Sequence, residues 1–215
     1  MRHTVSFALV CLLIGAADAS AGGTTEYLVD TASSEVNILV YSDGPLARVG
    51  HNHVMTSRSV QGHISVSRAS PRVAFDLSFP VEELIVDDPP ERIAAGNDFP
   101  LNLTPADRTG TRKNMLGPAV LDAQRFPFIS LSSLSMSGTL QNPHFSVLVT
   151  IRNVSRETSV DAQLTLVDSR LTATGEFDIR QSDFGIEPFS VAFGALRIDD
   201  RLHVSFALVA QAPGS

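Results

Sequence analysis

The residues whose types and spacing could best do chemistry are Gly50-His51-Asn52-His53. In an extended segment His51 and His53 project to one face, where two imidazoles could share a metal ion or meet one polar ligand. A catalytic zinc usually takes three protein ligands, and the next histidine, His63, lies ten residues on and on a strand of unknown neighbours. Two readings of the pair therefore stand open. One is a metal-dependent, hydrolytic site; the other is a pair of histidines hydrogen-bonded at the mouth of a barrel.

Other chemistry finds less support. The chain has no G-x-S-x-G elbow and no H-E-x-x-H pair, and its one cysteine, Cys11, sits in an apolar leader. Glu82, Glu83, Asp87 and Asp88 are acidic enough for calcium but lack the spacing of an EF-hand loop, so they read as a solvated loop. Arg108, Arg112 and Lys113 fall on an expected helix, either facing an anionic head group or simply exposed near its C-terminal end. No catalytic residue and no cofactor is expected, and the chain reads as a binding protein.

The elements that must position these groups are strands. Leu171, Ala173, Gly175, Phe177 and Ile179 alternate with polar residues, and the pattern resumes at Leu202, Val204, Phe206, Leu208 and Ala210. A period of two puts all of these on one face. Between the two runs lies the aromatic segment Gln181 to Phe189, with Phe184, Gly185 and Ile186. Shorter runs repeat the pattern: Val36/Ile38/Val40, Val73/Phe75/Leu77/Phe79, Phe145/Val147/Val149/Ile151 and Val160/Ala162/Leu164/Leu166. Turn residues separate them, as at Asp43-Gly44-Pro45 and Asn142-Pro143. About eight or nine mostly antiparallel strands follow, and long two-faced strands favour a closed barrel, which removes sheet edges.

One helical excursion, Val86 to Phe128, interrupts them. It opens with a stiff polar turn at Asp87-Asp88-Pro89-Pro90, and Thr104 caps a helix that starts at Pro105 and runs to about Met115. Gly117-Pro118 ends it, and Val120 to Arg125 would add a helical turn.

Residues 1–21 read as a signal peptide: basic Arg2, an apolar run from Val5 to Ala17, and Ala19-Ser20-Ala21 as the cleavage site. The run is too short to span a bilayer comfortably. Residues 22–215 then form one domain without cysteine, suited to a periplasm or to secretion without disulfides. Its charge stays at −7, since Arg2 and Asp18 leave together, which argues against nucleic acid as a partner. No second apolar run is long enough for a transmembrane segment, and a homodimer is left open.

Three segments in order resemble the YceI-like family of lipocalin-like, polyisoprenoid-binding proteins. They are Tyr27-Leu28-Val29-Asp30-Thr31, then Leu121-Asp122-Ala123-Gln124-Arg125-Phe126-Pro127, and Gly175 through Arg180-Gln181-Ser182-Asp183-Phe184-Gly185-Ile186. The chain departs from the family at Ser33-Ser34, where His-Ser is common, and at Arg112-Lys113-Asn114-Met115-Leu116, which lacks an acid. The resemblance implies an eight-stranded antiparallel lipocalin-like barrel whose apolar tunnel holds an amphiphilic lipid such as an isoprenoid quinone, a polyisoprenoid or a fatty amide. By strand parity the expected lining is Phe75, Leu77, Phe145, Val147, Leu164, Leu166, Phe177, Ile179, Val204 and Phe206, with Phe184, Ile186 and Phe189 at one end.

Overall fold

The computed structural model describes residues 23–213; the expected leader lies outside them. Twelve strands and two α-helices make up the described chain. The strands are β1 (Thr24–Val29), β2 (Glu35–Asp43), β3 (His53–Ser57), β4 (Gln61–Ser67), β5 (Arg72–Pro80), β6 (Ile85–Val86), β7 (Phe128–Gly138), β8 (Pro143–Ile151), β9 (Val154–Val167), β10 (Arg170–Arg180), β11 (Ser190–Val191) and β12 (Leu196–Gln211). The helices, α1 (Pro89–Ala95) and α2 (Pro105–Leu116), both lie between β6 and β7.

The register turns this list into a closed antiparallel barrel of eight staves. Leu28 of β1 pairs with His63 of β4, and Val36 of β2 with Ser57 of β3, so β1 and β2 are one bent stave beside a second made of β3 and β4. β5 and β6 form a third in the same way, through Gln61↔Ser78 and Met55↔Val86. The ring continues through β7, β8, β9, β10 and β12. Both halves of the first stave then pair with β12, at Val29↔Ala210 and Val36↔Phe206, and close it. Closure pairs every stave on both sides over much of its length, with β9 joined to β10 from Asp161 to Val167.

Alternation along each stave sends one set of side chains inward. On β8, Phe145, Val147, Val149 and Ile151 are buried, while Ser146, Leu148 and Thr150 between them are half-buried. At the β9–β10 turn the inside is packed solid by residues such as Leu171 and Ala210, both wholly inaccessible.

The opposite end carries the excursion. Thr104 caps α2 in a reciprocal box with Asp107, and Pro105 sits where its missing N–H costs nothing. Arg112 donates to the carbonyls of Leu84 and Glu82, which ties α2 down over the end of the barrel. Two expectations are corrected here. Pro89-Pro90 opens α1 rather than a turn, because the first helical turn tolerates proline. Val120 to Arg125 forms hydrogen-bonded turns instead of a helix, with Asp122 at a φ of 50°.

Candidate functional site: a two-chamber barrel interior

Two cavities occupy the barrel. The inner one, about 100 Å³, is walled only by Val, Ile, Leu, Phe and Ala side chains from the staves. The outer one, about 330 Å³, lies under α2 and the β2–β3 and β10–β12 connections. Four isoleucines, Ile38, Ile129, Ile151 and Ile179, line both and form the waist between them.

The residues expected at the lining divide between the two cavities. Phe75, Leu77, Phe145, Val147, Leu164, Phe177, Ile179, Val204 and Phe206 wall the inner cavity. Phe184, Ile186 and Phe189 wall the outer one. Leu166 differs: half-buried opposite Leu171, it packs against the core at the solid β9–β10 end. Parity gave its face correctly but not its depth.

Phe75 stacks edge-on against Phe145, with ring centroids 5.2 Å apart, and Phe177 and Phe206 meet at 6.5 Å. Phe206 can lie across the sheet because Gly175 is its register partner. A Cβ at Gly175 would stand 2.7 Å from Cζ of Phe206 and 2.5 Å from the carbonyl oxygen of Asp161.

Polar groups enter only in the outer chamber. His51 and His53 both line it, with ring centroids 6.5 Å apart. Among the described residues no cluster of three His, Cys, Asp or Glu side chains joins them. His63 lies exposed on β4, 3.7 Å from Asp76.

His53 is held from behind by a buried network that the sequence did not signal. Its Nδ1 lies 2.7 Å from Oδ2 of Asp87, whose Oδ1 accepts from the Val54 N–H at 3.0 Å and from Arg92 at 2.5 Å. Asp87 and Arg92 are both wholly inaccessible to solvent, so the reading of Asp87 as part of a solvated loop is corrected. Arg92 also donates to the carbonyls of Asn52 and Pro100, joining β3, α1 and the loop before α2. Burial pushes the Asp87 carboxyl up; the hydrogen bonds from His53, Val54 and Arg92 and the charge of His53 outweigh it and hold the group below the usual range.

Thr111, Asn114 and Met115 are the α2 residues on the outer wall. Their spacing puts them on one helical face, visible only once the helix is known to cover an opening. Arg197 lines the wall too, but is spent on Asp43 at 2.6 Å. Arg108 and Arg112 are half-buried and donate to the carbonyls of Leu103 and Leu84, so they are not simply exposed on the helix; Lys113 is exposed.

The YceI-like domain matches residues 27–210. BcnA from Burkholderia cenocepacia superposes with a TM-score of 0.62 at 14% identity, covering 85% of this chain and 99% of that one. The Campylobacter jejuni YCEI protein superposes with a TM-score of 0.51 at 13% identity, covering 71% and 81%. Identities this low establish a shared fold. Among curated proteins none matches. No helix among the described residues is long and apolar enough to cross a membrane. A domain match over nearly all of the barrel, joined to an apolar two-chamber interior, places the chain in the YceI-like family, whose barrels are known for binding hydrophobic ligands.

Proposed function

We propose that this protein binds and carries, or sequesters, a long-chain amphiphilic lipid, without catalysing a reaction on it. The candidates are an isoprenoid quinone, a polyisoprenoid or a fatty amide. The observation that carries this reading is the pairing of a wholly apolar inner cavity with an outer one that adds a few polar groups, across a shared waist of four isoleucines. An apolar chain reaching through both would leave water, which favours binding by roughly 0.8 kcal/mol per methylene before association costs are subtracted. The polar end would stay in the outer chamber, as in binding sites where a few polar groups orient a mostly apolar ligand.

The same reading assigns residues 1–21 to a cleaved signal peptide and places the barrel in the periplasm or outside the cell. An exported carrier without cysteine needs no oxidative folding there.

A chain-length series tests it. Primary amides with tails of increasing length, titrated into delipidated protein, should gain roughly fourfold in affinity per added methylene until the interior is full. Affinity independent of tail length would overturn the reading.

A further inference from the structure

The outer chamber contains more unspent polar groups than an apolar ligand needs. The Gln181 amide nitrogen donates to the Asp199 carbonyl, Ser42 is engaged by Asn52 and the Ala47 carbonyl, and Arg197 by Asp43. His51, Thr111 and Asn114 have side chains that make no hydrogen bond within the described chain, and they line the same wall as His53.

His53 differs from the others in being oriented. Asp87 is an acceptor only, so Nδ1 of His53 must carry the hydrogen between them. In the neutral imidazole that fixes the tautomer and leaves Nε2 a bare acceptor. The Nδ1 edge is turned to the buried network, and the ring lines the outer chamber, so Nε2 is the edge presented to a ligand. Val54, Arg92 and the main chain it grips hold Asp87 still, and so the ring is fixed before anything binds.

The charge of the chamber narrows the class further. Arg197, its one cation among the described lining residues apart from the histidines, is neutralised by Asp43. A phosphate or carboxylate head would therefore meet no free guanidinium or ammonium among the described lining residues.

We propose that His53 Nε2 accepts a hydrogen bond from an uncharged, donating head group, an alcohol, phenol or primary amide, on the lipid whose tail fills the barrel. This rests on the lipid-binding reading above. Heads that only accept, such as ethers, esters and the oxidised quinone among the candidates above, leave Nε2 without a partner, which favours the alcohol and amide candidates.

The test is competition of a long-chain primary alcohol, its methyl ether and the matching alkyl phosphate against a fluorescent fatty probe. The alcohol should bind roughly five- to tenfold more tightly than the ether, the worth of one hydrogen bond. The phosphate should bind more weakly than the alcohol. In His53→Asn the side-chain amide can still donate to Asp87 but Nε2 is gone; there the preference for the alcohol over the ether should vanish.

Equal binding of alcohol and ether overturns the head-group assignment while tail binding stands. Binding of neither overturns the lipid reading and this inference with it. A folded His53→Asn protein that keeps the preference also overturns it. In the unmodified protein the ¹⁵N resonance of His53 Nε2 should move on adding the alcohol and not the ether. A resonance that ignores both sinks the assignment without any variant.

Discussion

Replacing Asp87 by asparagine removes the one negative charge in a wholly buried cluster while keeping its shape. Asparagine is the right probe because Asp87 sits at a φ of 55°, a left-handed conformation that asparagine tolerates and leucine does not. The substitution leaves the buried Arg92 without its anionic partner, and it sets an amide N–H against either the His53 or the Arg92 donor. Breaking a buried pair from one side costs about 3–5 kcal/mol, which for a domain of this size lowers Tm by roughly 6–20 °C. The assay is urea denaturation at pH 7, where the midpoint should fall at an unchanged m-value. In Asp87→Asn with Arg92→Met the loss should be about 1–3 kcal/mol smaller than the sum of the singles, since the stranded cation is gone. The pH dependence has a definite sign. The folded carboxyl is held below its ordinary value, so its stabilisation is present above about pH 4 and fades as pH falls through the lower folded value. The wild type should therefore lose its advantage over Asp87→Asn in acid and keep it at neutrality. A loss under about 1 kcal/mol with additive singles would refute the reasoning, because that is the worth of an exposed pair.

Other consequences follow from the same geometry. Ile179→Trp, at the waist, should weaken binding of amphiphiles with long tails far more than of short ones that fit the outer chamber alone, as measured by probe displacement; equal losses would contradict a shared waist. Gly175→Ala sets a methyl against the Asp161 carbonyl and the Phe206 ring, and should cost about 1–3 kcal/mol in urea denaturation; adding Phe206→Leu should recover part of it. Thr104→Ala breaks the α2 capping box and should cost about 1 kcal/mol, read as faster hydrogen exchange across Arg108 to Leu116 with the β8 amides unaffected.

Much of the barrel was legible because strand faces are written at a spacing of two residues. Phe75 and Leu77, Phe145 and Val147, Phe177 and Ile179, and Val204 and Phe206 could be set on one face from spacing alone, and Thr104-Pro105 marked the start of α2. Depth was not legible. Leu166 has the parity of Leu164 but lies two residues further along, where Leu171 and its neighbours fill the end of the barrel. The buried Asp87–Arg92 pair was hidden for a different reason: two charged residues five apart beside two prolines look solvated, and only the folding of α1 against β3 encloses them. His51 and His53 could be placed on one face, but what orients His53 is an aspartate 34 residues away. The wall formed by Thr111 and Asn114 likewise depends on where α2 lands.

The central claim, that the barrel interior holds a lipid tail, is tested most directly by native mass spectrometry of the protein purified from its own host without detergent. The account predicts a species heavier than the mature chain by the mass of one amphiphile, and release of a long-chain, uncharged lipid on denaturation. A chain of bare polypeptide mass that also takes up no added long-chain alcohol, amide or quinone after delipidation would contradict it.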